Sequence, residues 1–281
     1  AILRSGVNKH IEVIPWPILN YYINNQYTFC DSIWYRINGD KRSFNNIKNN
    51  HKMIFLTIGE FQPRKNLQQL VQNFVLEFIN QDDVALVIKT TDKGISNLDD
   101  VDNYQLLSDY INNYIHELNI GNESIPPIYF TIEFLSDMQM KTLYRESTFY
   151  ISLSHSEGMG GGIIQAMANK LPPISAHYSA MTDYLNESNS MKVDHYEDFI
   201  HSMTSVHYDS GQQWSYIKDL DIQKVLSKLK SLNQNKDEYN KLKEHAYNSI
   251  INYCGEDRVF EIMHEVLGRM ISRVKKARVF I

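Results

Sequence analysis

Two loop segments of the chain combine residue types that bind phosphate groups. The first runs from Gly59 to Asn66, reads GEFQPRKN, and places Arg64 and Lys65 directly before the start of a helix. Backbone N–H groups at a helix N-terminus attract anions, while lysine adds a mobile point charge and arginine a planar fork of donors. The segment therefore predicts a phosphate-binding loop, and the alternative is a basic turn that only faces solvent.

The second segment runs from Ser154 to Gly162, reads SHSEGMGGG, and has four glycines among its last five residues. Glycine lets the backbone approach a ligand closely, and the helix that follows favours negative charge at its start. A diphosphate satisfies both features, whereas a tight strand-to-helix turn would explain only two of the glycines. Glu157 is suited to accept hydrogen bonds from sugar hydroxyls, and Gln165, two turns into the helix, to bridge a ribose diol.

Metal-dependent and hydrolytic chemistry are not predicted. The sequence has no Asp-x-Asp pair and no histidine cluster at ligand spacing, so phosphate charge would be met by Lys65, Arg64 and backbone dipoles. His155 stands between two serines, but adjacent residues at a strand end point apart, and there is no Gly-x-Ser-x-Gly elbow. We therefore expect no metal and no hydrolytic nucleophile.

Composition narrows the class of protein. The chain has 281 residues, of which 43% are hydrophobic, enough for a packed core. Its 28 Lys and Arg against 33 Asp and Glu give a net charge of -5, which argues against a broad nucleic-acid-binding surface. No apolar run approaches the roughly 18 residues that a membrane-spanning helix needs, and no signal peptide is evident. We therefore expect a cytoplasmic protein with Cys30 and Cys254 reduced. The chain opens at Ala1 without an initiator Met, which indicates a fragment.

The elements that would position the two loops alternate between strand and helix from Met53 onward. The predicted strands are Met53–Ile58, Val84–Ile88, Ile128–Leu135, Phe149–Leu153 and a short run around Ile174, with helices starting at Asn66 and Asp137 among others; beyond Trp214 we expect helices near 222–233, 236–253 and 256–274. This alternation predicts an α/β fold with a doubly wound parallel, Rossmann-like sheet. Ligands bind beyond the carboxyl ends of such strands, where both loops stand.

The same segments resemble a known family. Residues 53–74 and 143–185 look like the nucleotide-binding domain of GT-B glycosyltransferases of family 4, in which a Ser-x-x-Glu-Gly-Phe-Gly loop leads into a helix. In that family a first glutamate is followed, after seven residues, by a second. Glu157 matches the first, but Gln165 stands at the second. Many members also have Arg directly after the strand's Gly, where this chain has Glu60, so Arg64 would take over that charge.

The resemblance implies a retaining glycosyltransferase that moves a sugar from a nucleotide diphosphate donor to an acceptor hydroxyl. Glu157 would be the catalytic residue, close to the reacting carbon of the sugar. The donor-binding residues would be Gly59, Arg64, Lys65, Gly158, Met159, Gly160, Gly161 and Gln165. The nucleotide sugar would be a substrate, with no cofactor. A glycan, lipid or protein acceptor would be held mainly by an N-terminal domain outside this chain, so the chain alone would be inactive.

We divide the chain into residues 1–52 as the end of the acceptor-side domain and the interdomain linker, 53–235 as the nucleotide-sugar-binding domain, and 236–281 as C-terminal helices. Residues 5–18 resemble the family's join between its domains and contain a strand-like run at 11–16, whereas 20–50 have no clear pattern. The C-terminal tail carries five cations: Arg269, Arg273, Lys275, Lys276 and Arg278. The tail favours a solvated helix that packs toward the other domain, and it also fits peripheral contact with an anionic membrane.

Three other functions remain open from the sequence. Because Gln165 stands where the family has a glutamate, one alternative is a non-catalytic nucleotide-sugar-binding or partner-binding module. An amide nevertheless still donates and accepts hydrogen bonds. A sugar-nucleotide epimerase on the same fold would need acid and base side chains from both domains. A nicotinamide dehydrogenase would carry Gly-x-Gly-x-x-Gly after the first strand of the domain, and the strand at Met53 leads into one glycine only.

Overall fold

The computed structural model describes residues 11–18, 27–91, 103–200 and 211–278. The strands are β1 (Ile33–Arg36), β2 (Lys41–Ser43), β3 (Met53–Ile58), β4 (Val84–Lys89), β5 (Ile128–Thr131), β6 (Phe149–Ser152), β7 (Pro173–Ser175), β8 (Met191–Lys192), β9 (Tyr196–Phe199) and β10 (Gln213–Tyr216). The helices are α1 (Phe44–Asn50), α2 (Leu67–Phe78), α3 (Asn103–His116), α4 (Asp137–Glu146), α5 (Gly161–Ala168), α6 (Asp219–Gln234), α7 (Lys236–Cys254) and α8 (Glu256–Arg278). A 3-10 turn over Pro63–Lys65 precedes α2.

The main sheet confirms the predicted doubly wound architecture. Its eight strands lie in the order β2-β1-β5-β4-β3-β6-β7-β8. All neighbours from β5 to β8 are parallel, while β1 joins β5, and β2 joins β1, in antiparallel fashion. β9 and β10 form a separate antiparallel hairpin.

The strand order reverses between β3 and β6. The chain builds outward from β3 through β4 to β5, then returns to place β6 on the other side of β3, with Phe55 paired to Phe149. Such a reversal opens a crevice beyond the carboxyl ends of the two central strands. The two loops singled out in the sequence leave β3 and β6, so both open into this crevice.

The core explains why the central strands read as continuous apolar runs. Every residue of β4 and five of the six residues of β3 are buried, as expected for parallel strands covered by helices on both faces. The rings of Phe74 and Phe78 on α2 pack on Phe55 of β3, with centroids 5.6 and 5.3 Å away. Burying each such ring contributes roughly 1.5–3 kcal/mol and fixes α2 against the sheet.

Several predicted boundaries were wrong for local reasons. β5 ends at Thr131, before the predicted Leu135, and the Thr131 hydroxyl then accepts from the Glu133 N–H. Ser136 caps α4 in a capping box with Gln139, so the cap is one residue before the predicted Asp137. The strand-like run at 11–16 forms no strand, and Ile18 makes only an isolated bridge to Gly255.

The cap predicted at Asn66 is right in position but wrong in mechanism. Asn66 precedes α2 with a left-handed φ of 53°, and its side chain makes no capping bond. The amide instead donates to the Leu153 carbonyl, 3.1 Å away, and so joins the first loop to the second.

Residues before the predicted domain start at 53 also contribute to the sheet. Trp34 of β1 is fully buried, and Tyr35 pairs with Phe130 of β5. The part of 20–50 that gave no pattern thus supplies, from Ile33 on, an antiparallel edge to the sheet. At the other end α7 begins at Lys236, as predicted, and packs on α5 and α6. The assignment of the residues before Ile33 to the acceptor-side domain and the interdomain linker remains a prediction.

Within the described residues, no helix combines the length and apolar character needed to cross a membrane.

Candidate functional site at the carboxyl ends of β3 and β6

The two predicted phosphate-binding loops lie side by side in the crevice. The His155 N–H of the second loop donates to the Arg64 carbonyl of the first, with N and O 2.8 Å apart. The His155 carbonyl in turn accepts from Ser215 of β10, also at 2.8 Å. Together with the Asn66 amide bond to Leu153, these contacts fix the relative positions of the two loops.

The loops bring together the charged residues that the sequence assigned to the site. Lys65 Nζ lies 2.5 Å from Glu157 Oε1, and Arg64 Nη1 lies 3.5 Å from Glu157 Oε2. Arg64 also donates to the Ser156 carbonyl at 2.7 Å. The exposed fractions of these side chains are 19% for Lys65, 29% for Arg64 and 13% for Glu157, so solvent screens the cluster only in part. Two cations against one carboxylate give the cluster a net charge of +1.

Gly59 lies beneath the lysine. A Cβ on Gly59 would stand 3.3 Å from Lys65 Cδ, so the absent side chain leaves room for the lysine to cross the end of β3. Lys89 is the last residue of the neighbouring strand β4. It is buried, its Nζ donates to the Thr90 carbonyl at 2.6 Å, and burial lowers its pKa.

The four glycines of the second loop divide into two pairs. Gly160 has φ of 71° at the N-cap of α5, and a Cβ at Gly162 would lie 2.1 Å from the Tyr150 hydroxyl oxygen, so packing and backbone conformation require these two. Added Cβ atoms at Gly158 and Gly161 would meet nothing within 4 Å. The fold therefore does not demand glycine at 158 and 161, and the backbone at both positions is open.

Tyrosines that the sequence did not assign to the site support the glycine loop. The Tyr184 hydroxyl donates to the Met159 carbonyl at 2.5 Å, and the Tyr178 hydroxyl donates to the Ser154 carbonyl at 2.6 Å. Burial, followed for Tyr178 by the charge of Glu157, raises the pKa of both, so both remain donors. Neither residue belongs to the two loops singled out in the sequence.

Gln165 is held by a buried tyrosine. The Tyr144 hydroxyl donates to Gln165 Oε1 at 2.9 Å, and burial keeps the pKa of Tyr144 well above its usual value. With its carbonyl oxygen engaged, the amide acts mainly as a donor through Nε2. Gln165 borders a cavity of about 510 Å³ that is also lined by Trp16, Pro17, Ile18, Met159, Gly161 and Ile164. The predicted donor-binding residues Met159, Gly161 and Gln165 thus share one cavity.

His155 has no geometry for hydrolysis. Its Nδ1 lies 2.8 Å from the Ser215 carbonyl oxygen, and its ring stacks on Trp214 with centroids 5.2 Å apart. The Ser154 hydroxyl contacts the hydroxyl of Ser152 instead. His155 therefore packs and positions the backbone, and these contacts form no serine–histidine couple.

Two other expectations concern metals and the tail. The described residues include no group of three or more His, Cys, Asp or Glu side chains that could hold a metal ion, and metal independence itself remains a prediction. In the tail, Arg269 pairs with Glu12 at 3.0 Å, which joins α8 to the segment before Ile18. The side chains from Arg273 on lie outside the described residues, and membrane contact also remains a prediction.

Comparison with known proteins identifies the family. The model of the family described as glycosyl transferases group 1 matches residues 39–249. A search of curated protein sequences gave no match.

Solved structures share the fold at low sequence identity. The C-terminal domain of LpcC, a glycosyl transferase group 1 family protein of Francisella tularensis, aligns with a TM-score of 0.50 and 17% identity over 76% of this chain and 91% of that one. HepE of Anabaena, in complex with UDP and glucose, aligns with a TM-score of 0.52 and 12% identity over 81% of this chain and 50% of its own. Sucrose-phosphate synthase of Thermosynechococcus elongatus aligns with a TM-score of 0.52 and 15% identity over 80% of this chain and 47% of its own.

The chain thus spans about half the length of two of these proteins and nearly all of the isolated C-terminal domain. These likenesses show the fold, which is that of the C-terminal domain of GT-B glycosyltransferases, while the family match covers well over half of the sequence. The chain belongs to the group 1 family of glycosyl transferases.

Proposed function

We propose that this chain is the donor-binding half of a retaining glycosyltransferase, which moves a sugar from a nucleotide diphosphate to an acceptor hydroxyl. The observation that carries the proposal is the cluster of Lys65, Arg64 and Glu157 between the carboxyl ends of β3 and β6. Glycines at 158 and 161 leave the backbone open beside it, at the start of α5. A site with a net positive charge, a helix N-terminus and open backbone suits a diphosphate.

The ion pair suggests how the site acts on its donor. When a diphosphate enters, its oxygens compete with Glu157 for Lys65, and the lysine can turn to the phosphate because its stem crosses the open face of Gly59. As the bond between sugar and diphosphate breaks, negative charge gathers on the phosphate beside Lys65 and Arg64. Positive character develops on the sugar ring, where the freed carboxylate of Glu157 stabilises it. This is electrostatic catalysis without a covalent intermediate on the chain.

The family and the fold support the donor class. The group 1 match covers both loops, and HepE, which shares the fold, was solved with UDP and glucose. The catalytic role of Glu157, the donor contacts of Gly59, Arg64, Lys65, Gly158, Met159, Gly160, Gly161 and Gln165, retention, and independence from metals and cofactors are part of the proposal. The acceptor would be a glycan, lipid or protein held mainly by a further domain.

The test uses the full-length protein with a panel of nucleotide sugars, and it follows release of nucleoside diphosphate and the anomeric configuration of the product. We expect turnover of at least one donor, an unchanged rate in the presence of a chelator, and a product with the donor's configuration. A strict requirement for magnesium or manganese, or inversion, would contradict the mechanism.

Gln165 supports a second candidate, a non-catalytic nucleotide-sugar-binding module. The family pattern has a carboxylate at this position, and here a neutral amide is fixed by Tyr144. Both candidates predict that nucleotide sugars bind, but only the transferase turns them over. Binding without any release of nucleoside diphosphate by the full-length protein would therefore favour the module.

A further inference from the structure

A cleft of about 450 Å³ lies beside the first loop, and none of the residues assigned to the donor or to catalysis lines it. Its walls come from five parts of the fold: the first loop, the start of α2, helix α3, His155 of the second loop, and the β9–β10 hairpin with Ile200. The aromatic and ring-bearing side chains that line it are Phe61, Pro63, Tyr114, His155, Trp214 and Tyr216. The cleft is thus separate from the cavity bordered by Gln165, and its lining does not include Lys65 or Glu157.

One wall is a continuous aromatic surface. In the hairpin, Trp214 lies opposite Asp198, and Tyr216 lies opposite Tyr196, so these four side chains share one face of the ribbon. The ring of His155 stacks on Trp214 at an interplanar angle of 10° and lies 4.9 Å from the ring of Tyr216. His155 of the second loop therefore packs against the aromatic face of the hairpin.

The hairpin is fixed in this position by hydrogen bonds to both neighbours. Ser215 exchanges two bonds with His155, one through the backbone N–H and one through its carbonyl, each at 2.8 Å. Farther along, Gln69 of α2 donates to the Ile217 carbonyl at 2.9 Å and to Asp219 at 2.8 Å. A wall held this firmly is a preformed binding surface, which lowers the entropy cost of taking up a ligand.

The lining is polar but carries no formal charge. Among the described residues that line the cleft, none is Asp, Glu, Lys or Arg. The polar side chains include three amides whose nitrogens already donate within the protein: Gln62 to Glu60, Gln68 to Glu117, and Asn66 to Gln69 and Leu153. Burial lowers the pKa of His155, and its Nδ1 faces a carbonyl oxygen, so the ring is neutral at pH 7 and its Nε2 is an acceptor. This chemistry disfavours phosphate groups and charged peptides.

We propose that the cleft binds a neutral oligosaccharide. The C–H faces of sugar rings are apolar and pack on aromatic rings, while their hydroxyls can donate to acceptors such as amide oxygens and a neutral imidazole. The volume lies in the range of small-ligand pockets. On a glycosyltransferase such a site holds part of the acceptor or product chain against the donor half. That role rests on the proposed function, whereas the binding itself does not.

The experiment titrates the protein with three neutral probes, maltotriose, cellotriose and N-acetylchitotriose, and follows tryptophan fluorescence and amide chemical shifts. We expect saturable binding of at least one probe, with shifts at Trp214. Tyr114→Ala and Tyr216→Ala should each weaken binding about fivefold, the size expected for loss of an aromatic stacking contact. Tyr110→Ala, the same change one turn away on α3 at an exposed position outside the lining, should bind as wild type does.

A further variant distinguishes loss of probe binding from loss of folding. Gln68 is exposed on α2 and lines the cleft, so Gln68→Trp can narrow the cleft without disturbing the core, and it should abolish binding of the probe. The proposal is overturned if no probe binds, if Gln68→Trp binds like wild type, or if uridine displaces the bound probe. Nucleoside diphosphates titrated into the same samples keep the two proposals apart, because cleft variants should bind them unchanged.

Discussion

Lys65 Nζ contacts Glu157 Oε1 at 2.5 Å, which joins the residue expected to bind phosphate to the residue expected to act on the sugar. The two lie 92 residues apart in the chain and meet because β3 and β6 are neighbours in the sheet. In this ion pair the two charges neutralise each other. In the proposed mechanism, a diphosphate displaces Glu157 from Lys65, and the same exchange frees the carboxylate to face the sugar.

Glu157→Gln should separate binding from turnover. Removing the carboxylate removes the group that competes for Lys65, so nucleoside diphosphates should bind as tightly as to wild type or several-fold more tightly. Turnover by the full-length protein should fall at least about a hundredfold, or about 2.7 kcal/mol, because the charge opposite the developing positive sugar is gone. Calorimetry and donor hydrolysis at saturating donor measure the two effects.

Glu187→Gln makes the same change at an exposed carboxylate and should alter neither quantity. Normal turnover in Glu157→Gln would show that Glu157 is not the catalytic residue.

Gln165→Glu should leave turnover similar or higher. The Tyr144 hydroxyl, 2.9 Å from Gln165 Oε1, can donate equally to one carboxylate oxygen, and the other oxygen can accept from a ribose hydroxyl. Tyr144→Phe should instead weaken donor binding modestly, by about 1 kcal/mol, because the amide loses the bond that orients it. Rates and donor affinities of the two variants, measured side by side, test this; a large loss of activity in Gln165→Glu would mean that the amide is required.

Alanine at two adjacent glycines should have opposite consequences. Gly162→Ala places a methyl group 2.1 Å from the Tyr150 hydroxyl oxygen, where overpacking should cost about 1–3 kcal/mol in the free energy of unfolding. Gly161→Ala meets nothing within 4 Å, so its stability should be nearly unchanged, but its added methyl group should hinder a ligand at the start of α5. Denaturant unfolding and diphosphate titration of both variants give the comparison, and equal stabilities would contradict the packing of this helix.

Acidification should destabilise the protein partly through His177. Burial first, and then the charge of Lys192, lower the pKa of His177 to about 4 from its usual 6.5. Above pH 6.5 the folded and unfolded states are both neutral at this residue. Between pH 6.5 and 4 the unfolded state takes up a proton that the folded state resists, so stability falls as pH falls.

Since His177 is only partly buried, we expect about 1 kcal/mol from it after screening by solvent. Unfolding free energies at pH 7.5 and 4.5 should differ less in His177→Asn than in wild type. The same pH dependence in both proteins would show that His177 contributes nothing to it.

The sequence predicted the sheet and the two loops after β3 and β6 because both depend on local pattern. Apolar runs gave β3, β4 and β6, and a loop with four glycines has few structural explanations. The strand order was not readable from pattern, since adjacency of β3 and β6 is set by long-range pairing. The direct contact of Lys65 with Glu157 follows from that adjacency, so no spacing in the sequence could indicate it.

Other features were missed because they have no periodic signal. Tyr184 and Tyr178 reach the glycine loop from the chain after β7, and their hydroxyls bond to backbone carbonyls, which any sequence provides. The edge formed by β1 and β2 has strands of four and three residues, too short for alternation to show. The fold supplied these contacts through tertiary packing, which single-segment patterns do not encode.

The most direct test of the central claim is calorimetric titration of this chain with nucleoside diphosphates and the matching nucleosides. Lys65→Ala should weaken binding of the diphosphate by about 1.5–3 kcal/mol, the worth of a charge-assisted contact, while nucleoside binding stays the same. Lys52→Ala, at the opposite end of β3 with 82% of its side chain exposed, is the matched control and should bind like wild type. If Lys65→Ala binds the diphosphate as tightly as wild type does, the crevice between β3 and β6 is not the phosphate site.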